Sequence, residues 1–506
     1  MLYKISSASL KGIDAYLVDV EVDVSYGIPN YITVGLPDAA VRESKERVKA
    51  ALKNCGYKYP PRKIIINLAP ADRKKEGSAF DLPISLGLAA HLEAFPADRL
   101  RNYLFLGELA LDGSLKSGRG ILSAAMLARK KGFKGIVIPE TNRKEAALVQ
   151  GIEVFGLKNL PQVVQLLDRP DSVSPSKFSP KELRTYHDYN VDFRDIRGQQ
   201  HVKRALEVAS AGSHNILMIG PPGAGKTMLA RCLPTILPQM TYEEIIEVTQ
   251  IYSASGFLRD GGIITERAFR APHHTISNIG LIGGTANPRP GEVSLSHHGI
   301  LFLDELPEFR KNALESLRQP LEDGEVTVSR ASMSVTFPSS FMLVGAMNPC
   351  ENALSASLSS GDECTESQRI RYYSKVSGPL LDRIDIQVEV PKVEFKDIIS
   401  KIQSETSAAI RTRVQKARKI QTKRFLSRNI YSNAQMGTKE VKRFCPVDEE
   451  GKKLLEMAVT KLGFSARAYT RVLKVARTIA DLEGNEDICA DYISEAIQYR
   501  MLDKYF

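Results

Sequence analysis

Hydrophobic and polar positions alternate along the first third of the chain in a way that separates strands from helices. The runs YLVDVEVDV (16–24), KIIINLAP (63–70) and KGIVIP (134–139) have the two-residue period or short apolar core of strands. By contrast, ESKERVKAALKNC (43–55) and ILSAAMLARKKG (121–132) place apolar residues at helical spacing. This predicts an α/β domain over residues 1–168. The Pro- and Ser-rich stretch RPDSVSPSKFSPK has no apolar period and reads as a linker, 169–188. Beyond it, HNILMIG, GILFLDE and SFMLVGAMN are short, continuous apolar runs, the pattern of strands buried on both faces of a parallel sheet, and helices alternate with them over 189–392. From about residue 393 the strand signal ends; 394–428 and 449–500 read as helices, so 393–506 is expected to form a third, helical domain.

Composition adds exclusions. With 506 residues, 43% hydrophobic and 25% charged, the chain is neither disordered nor fibrous, and about three domains are expected. No run of 18 apolar residues and no signal-peptide layout is present, which predicts a soluble, cytoplasmic protein without a membrane partner. Six scattered cysteines without a CxxC pair read as free thiols. The formal charge of +10 permits an anionic partner without requiring one.

The chemistry concentrates after the linker. Gly220, Pro221, Pro222, Gly223, Ala224, Gly225, Lys226 and Thr227 form GxxxxGK[ST] between an apolar strand and a helix. In such a loop the backbone N–H groups and the helix N-terminus cradle phosphates, the lysine bridges the outer ones and the threonine holds Mg²⁺. Asp304 and Glu305 end the next buried strand: Asp304 joins Thr227 as a metal ligand and Glu305 polarises the attacking water. Asn348 closes a third strand and is placed to orient that water, although before Pro349 the same residue also reads as a turn. Ile196 and Gly198, in FRDIRGQ upstream, are candidates for the base and ribose. ATP and Mg²⁺ are therefore the expected cofactors.

These motifs in this order resemble an AAA+ ATPase. The stretch 269–309 (FRAPHHTISNIGLIGGTANPRPGEVSLSHHGILFLDELPEF) and 314–331 (LESLRQPLEDGEVTVSRA) resemble the magnesium-chelatase-like branch, specifically the ComM/YifB family, and the likeness continues through the opening residues 3–52 and the closing FSARAYTRVLKVARTIADL. The resemblance implies an AAA+ P-loop α/β core with a parallel sheet and a C-terminal helical lid. It also implies a hexameric homo-oligomeric ring that hydrolyses ATP and acts on single-stranded or branched DNA, as a helicase-type branch-migration motor in natural transformation. By position, Arg383 in GPLLDRID resembles an arginine finger and Arg467 in FSARAY the second sensor arginine; on the residues alone each reads equally as a surface or capping arginine. Residues 62–85 and 111–146 resemble the Lon-protease fold, but the nucleophile position falls at or near Ala79 and the lysine position on Leu122, with Ser78 and Lys116 out of register. A non-proteolytic Lon-like domain is expected. Relatives commonly carry four cysteines after Asn348; here Cys350 and Cys364 alone remain, too few for a closed zinc site, so no zinc is expected. The pairs His273-His274 and His297-His298 read as inserted-hairpin or packing residues.

Two segments are candidates for nucleic acid. Residues 401–444 hold twelve basic residues against two acidic ones, among them Arg418, Lys419, Lys423 and Arg424; such a block is either a solvated helix face or a phosphate-binding belt. Arg330 sits in the expected hairpin GEVTVSRASMSVTFP, which the family resemblance implies projects toward the ring's pore; on the residues alone Arg330 reads equally as a turn cap. The alternative function is a protein-remodelling or chelatase-like ATPase with a protein partner, which the phosphate motifs serve equally well; a peptidase is the third.

Overall fold

The computed structural model describes residues 1–179, 189–258, 262–285, 288–330, 333–350, 364–395, 404–426 and 430–501. Part of the expected linker, 180–188, lies outside them, as do Lys401 and Arg428 of the basic segment. The chain divides into two compact units: Met1–Thr185 with Tyr242–Thr265, and Tyr186–Thr241 with Glu266–Phe506.

The first unit is built on a four-stranded sheet. Strands β1 (Leu2–Lys11), β2 (Asp14–Ser25), β3 (Asn30–Val34) and β4 (Lys63–Ala69) run in the order β1-β2-β4-β3, with β3 parallel to β4 and the other pairs antiparallel. The alternation in the sequence becomes a buried face: Val18, Val20, Val22 and Val24 of β2 are all buried, while the residues between them are partly exposed. Helix α1 (Ala39–Asn54), whose first turn is capped by Asp38 Oδ1 accepting from Val41 N at 2.8 Å, and helix α2 (Asp81–His91) share that core. Gly87 in α2 is required by close approach, since a Cβ there would meet Val22 Cγ2 at 2.4 Å. Helix α3 (Ile121–Lys130) leads toward a three-stranded parallel sheet of β5 (Tyr103–Phe105), β6 (Gly135–Pro139) and β7 (Glu153–Leu157).

The sequence expectation assigned residues 242–265 to the ATPase core, but the structure places them in the first unit. The helix Tyr242–Ser255 buries Ile245, Val248 and Ile251, Gln250 Nε2 donates to Ile13 O at 3.2 Å, and Ser253 O accepts from Gly120 N at 3.1 Å. Burial of an apolar face, which periodicity shows, does not reveal whose core receives it. Glu145 is buried beside this helix, and one carboxylate oxygen accepts from Asn142 Nδ2 at 2.6 Å. Burial pushes its pKa up to about 7, against the hydrogen bonds from Ser253 and Asn142 that favour the ionised form.

In the second unit α4 (Gln200–Gly212) precedes β8 (Ile216–Ile219) and α5 (Lys226–Ile236) follows it. A parallel sheet forms from β8, β9 (Phe269–Arg270), β10 (Ile300–Leu303), β13 (Met342–Met347) and β14 (Ile386–Glu389), in the order β9-β10-β13-β8-β14. The antiparallel hairpin of β11 (Glu325–Arg330) and β12 (Met333–Pro338) precedes β13. Every residue of β8, β10 and β13 is buried, as the continuous apolar runs require. Among the described residues the chain past β14 is helical apart from an isolated bridge, and its two longest helices are α6 (Ser407–Arg424) and α7 (Ala466–Glu483).

The C-terminal helices do not form a core of their own, contrary to the expected third domain. Val414, Ala417, Val472, Ala476 and Ile479 belong to one hydrophobic core with Leu206 of α4 and Val344 of β13. A buried polar network reinforces it. His214 Nδ1 lies 3.2 Å from Asp385 Oδ2, Arg471 contacts the other Asp385 oxygen, and Arg424 and Arg477 both bind Asp481. Burial pushes the Asp385 pKa up, but Arg471 and His214 override it and hold the carboxyl well below the usual range. No helix among the described residues is long and apolar enough to cross a membrane.

Glu145 supplies a stability test. Its folded-state pKa lies above the unfolded value, so its contribution to stability is full below about pH 4.5 and is lost as pH rises toward 7. Glu145→Gln should therefore melt close to the unsubstituted protein at pH 4.5 and higher at pH 8, by a stability difference on the order of 3 kcal/mol. Thermal unfolding of the two proteins across this range, showing the same offset at both ends, would count against a buried carboxyl with a raised pKa.

Candidate functional site

The phosphate loop is held open by its own backbone. β8 delivers Gly220 next to Val390, where a Cβ would meet Val390 O at 2.2 Å, so only glycine fits. Gly223 and Gly225 have φ of +77° and +88°, the left-handed values that turn successive N–H groups inward before α5 begins.

Lys226, 8% exposed, is the charge at the centre. Its Nζ donates to Gly220 O at 2.6 Å, Pro221 O at 3.0 Å and Asn348 Oδ1 at 2.9 Å. Burial lowers its pKa, opposed by the charges of Asp304 and Glu305. Thr227 Oγ1 donates to Asp304 Oδ2 at 2.7 Å, so the two oxygens expected to hold Mg²⁺ already meet. A hydroxyl beside a carboxylate is the hard-oxygen donor set such an ion prefers, and these residues fit it. Asp304 Oδ1 accepts from the N–H of Glu305, whose φ of +52° turns its carboxylate off the strand line; that side chain is 58% exposed.

The structure thus brings Lys226, Thr227, Asp304, Glu305 and Asn348 to one end of three adjacent parallel strands, β10, β13 and β8. Beside them is a cavity of about 420 Å³ lined by Ile196, Pro222 to Gly225 and Met228. Gly198 (φ +61°) supplies the turn before it rather than a wall. Gln199, the last residue of the expected FRDIRGQ cradle, also lines it, whereas sequence reading missed Met228 and Lys392. Lys392 arrives from beyond β14, and no motif marks it. It also missed Tyr372, whose hydroxyl donates to Asn348 O at 2.9 Å, and His274, whose Nδ1 lies 3.6 Å from Glu305 Oε2. The two histidines 273 and 274, expected to be packing or hairpin residues, do stack at 4.0 Å between centroids, but His274 also faces the water-polarising candidate.

Arg383 and Arg467 make their described contacts elsewhere. Arg383, with its side chain 11% exposed, donates to Pro379 O and Glu322; Arg467, 63% exposed, lies 3.6 Å from Asp382. The hydrogen bond from Arg383 holds the Glu322 carboxyl below its usual pKa, and the charges of Arg467 and Arg318 add to the effect.

Three expectations are corrected. Arg418 is buried and donates to Ser210 O, Ala211 O and Ser213 Oγ, and Arg424 is spent on Asp481 and Asn433; both hold the helical core together and neither faces a ligand in solution. Lys419 and Lys423 of the same helix are exposed, as is Arg330, which packs against Gly284. Cys350 and Cys364 are not free thiols but form a disulfide, with Cα atoms 6.5 Å apart. Ser78, near the Lon-like nucleophile position, donates its hydroxyl to Glu108.

Comparison with known proteins places this site in a family. The family model described as magnesium chelatase, subunit ChlI, matches residues 192–398; a second for subunit ChlI of Mg-chelatase matches 20–142, and one for the ChlI C-terminal region matches 404–500. A competence protein ComM of Haemophilus influenzae is 42% identical over 500 residues, 98% of this chain and 97% of its own. The chain belongs to the ComM/YifB family of magnesium-chelatase-like AAA+ ATPases. Another member, YifB of Escherichia coli, is 40% identical over 97% of this chain and 96% of its own. Lon protease 2 of Bacillus subtilis is 26% identical over 184 residues, 32% of this chain and 33% of its own, in keeping with a Lon-like α/β fold. Family membership implies use of ATP and Mg²⁺.

Two substitutions separate binding from turnover. Lys226→Ala should abolish nucleotide binding measured by calorimetry, because the outer phosphates lose the cation that Nζ supplies. Glu305→Gln should retain binding and lower hydrolysis by at least about a hundredfold; near-normal turnover would remove Glu305 from the chemistry.

Proposed function

We propose that this chain is an ATP-hydrolysing motor that assembles as a hexameric ring and remodels branched or recombining DNA during natural transformation. The observation that carries the DNA reading is the end-to-end likeness to the Haemophilus influenzae protein named for competence. The cluster of Lys226, Thr227, Asp304 and Asn348 supports the hydrolysis. When nucleotide is bound, Mg²⁺ held by Thr227 and Asp304 would neutralise charge on the phosphates. Lys226 exchanges its carbonyl partners for phosphate oxygens, Asn348 is released to orient water, and Glu305 accepts that water's proton. In this reading Arg383 acts on the site of a neighbouring subunit once Glu322 lets it go, and Arg467 reports nucleotide to the helical region.

For DNA, the reading rests on side chains that the fold leaves in solvent. Lys419 and Lys423 lie four residues apart on one exposed face of α6, and Arg330 stands at the end of β11. Cations of this kind contact phosphates without reading base sequence. The matches to magnesium chelatase subunits favour a second reading, an ATPase that remodels a protein partner.

If Arg383 works between subunits, Arg383→Ala should bind ATP normally and hydrolyse it poorly, and mixing it with Lys226→Ala protein should restore part of the rate. Unchanged turnover would assign the finger to another arginine. For DNA, affinity should fall steeply with salt, and the double variant Lys419→Glu, Lys423→Glu should weaken binding to all sequences alike and flatten the salt slope by about one unit per lost phosphate contact. Arg330→Ala should reduce DNA-stimulated turnover more than binding. No binding to single-stranded, duplex or branched DNA, with no change in ATPase rate, would favour the protein-remodelling reading instead.

A further inference from the structure

The cavity beside the phosphate loop has a polar group whose orientation the fold dictates. Gln199 lies at the start of α4 with φ of +53°, and it lines the cavity with Ile196 and Met228. Its side-chain nitrogen Nε2 donates twice, to Ala224 O in the phosphate loop at 3.0 Å and to Pro391 O just past β14 at 2.7 Å. Both partners are backbone carbonyls, and Pro391 and Ala224 can offer nothing else at those atoms, so the nitrogen must face them. An amide turned the other way would set three oxygens against one another with no proton between them. Both N–H groups are therefore committed, and what Gln199 has left is Oε1, a pure acceptor that no other described residue engages.

That asymmetry bears on the base. A 6-aminopurine presents a donor at its exocyclic position and a 6-oxopurine an acceptor. In many sites a glutamine serves either by rotating its amide, but here rotation is blocked by the two carbonyls. We infer that Gln199 selects the nucleobase, its Oε1 accepting a hydrogen bond from the exocyclic amine of adenine and opposing the exocyclic oxygen of a 6-oxopurine. The assignment rests on the nucleotide-site reading and names the residue that reads the base there. Gln199 is also the residue that ties the phosphate loop to the segment after β14, so the group reading the base and the brace for the loop are the same amide. Ile196 and Met228 supply the apolar faces against which a purine ring packs.

Calorimetric titration of the full chain with ADP, IDP and purine riboside diphosphate tests this without turnover. IDP differs from ADP in the exocyclic group and the N1 proton, and the riboside analogue lacks the exocyclic group altogether. ADP should bind at least about tenfold more tightly than IDP, with the analogue between them, because IDP suffers both a lost hydrogen bond and an oxygen–oxygen contact. In Gln199→Ala the difference between ADP and IDP should shrink to about threefold or less. If Gln199 only braces the loop, that substitution will weaken all three ligands by one common factor and keep their ranking, which overturns the inference. Equal binding of ADP and IDP to the unsubstituted protein overturns it without any variant. Failure of all three to bind is a different result, which removes the nucleotide site and this assignment together.

Discussion

An ammonium group withdrawn from water must be surrounded by oxygen atoms, and the geometry around Lys226 follows from that requirement. Three acceptors, Gly220 O, Pro221 O and the Asn348 amide oxygen, take its three protons. For those atoms to be in place, β8 must end just before Gly220, β13 must end just before Asn348, and the two strands must be neighbours in register. The pairing of Ile216 with Val344 through Ile219 with Met347 achieves this. Asp304 depends on the same sheet, because β10 is the next strand out and its last residue, Leu303, pairs with Gly345, two residues before β13 ends. The site is thus a property of the carboxyl ends of the parallel strands, where three chain segments far apart in sequence end side by side.

The lysine's present partners are also a statement about what the site does next. Two of the three are carbonyls of the loop itself, so the loop holds its own cation until stronger, anionic acceptors arrive. Asn348 is bound on both sides, by Lys226 at its side chain and by Tyr372 at its backbone. Exchange at the lysine therefore changes the restraint on Asn348, and through Tyr372 on the helix Glu366–Tyr373. That helix stands at the head of the segment that goes on to Arg383. A small electrostatic exchange in the loop has a continuous covalent and hydrogen-bonded route to Arg383, the arginine proposed above to act on a neighbouring subunit.

The basic segment shows how composition and structure divide a question. Twelve positive charges in 401–444 look like one surface, yet they are two populations. Arg413 binds Glu207 and Glu405 at the surface, while Arg418 caps the carbonyl end of α4 and Arg424 shares Asp481 with Arg477 inside the helical core. Arginine's planar, multi-donor head suits such buried pairing and capping. The lysines between them, 419 and 423, remain in water. In this helix the arginines with partners inside the fold are structural, and the lysines carry the charge available to an outside partner.

The sequence by itself determined the parts of this protein that are local. The alternation in β2, the uninterrupted apolar runs of β8, β10 and β13, the glycines of the phosphate loop and the hairpin around Arg330 are each encoded within about a dozen neighbouring residues, because strand period, turn geometry and loop chemistry act at that range. Lys226, Thr227, Asp304, Glu305 and Asn348 were legible for the same reason. Tertiary structure decided everything that depends on which core an apolar face joins. The helix Tyr242–Ser255 enters the first unit although it sits in sequence between the phosphate loop and β10, and the C-terminal helices merge with the ATPase core instead of forming their own. It also decided which polar groups are committed inside the fold: Arg418 and Arg424 to carbonyls and Asp481, Gln199 Nε2 to Ala224 and Pro391, and His274 to the side of Glu305. Hydrogen-bond partners across long separations leave no periodic trace in a chain, since nothing local fixes them until the sheet and helices have packed.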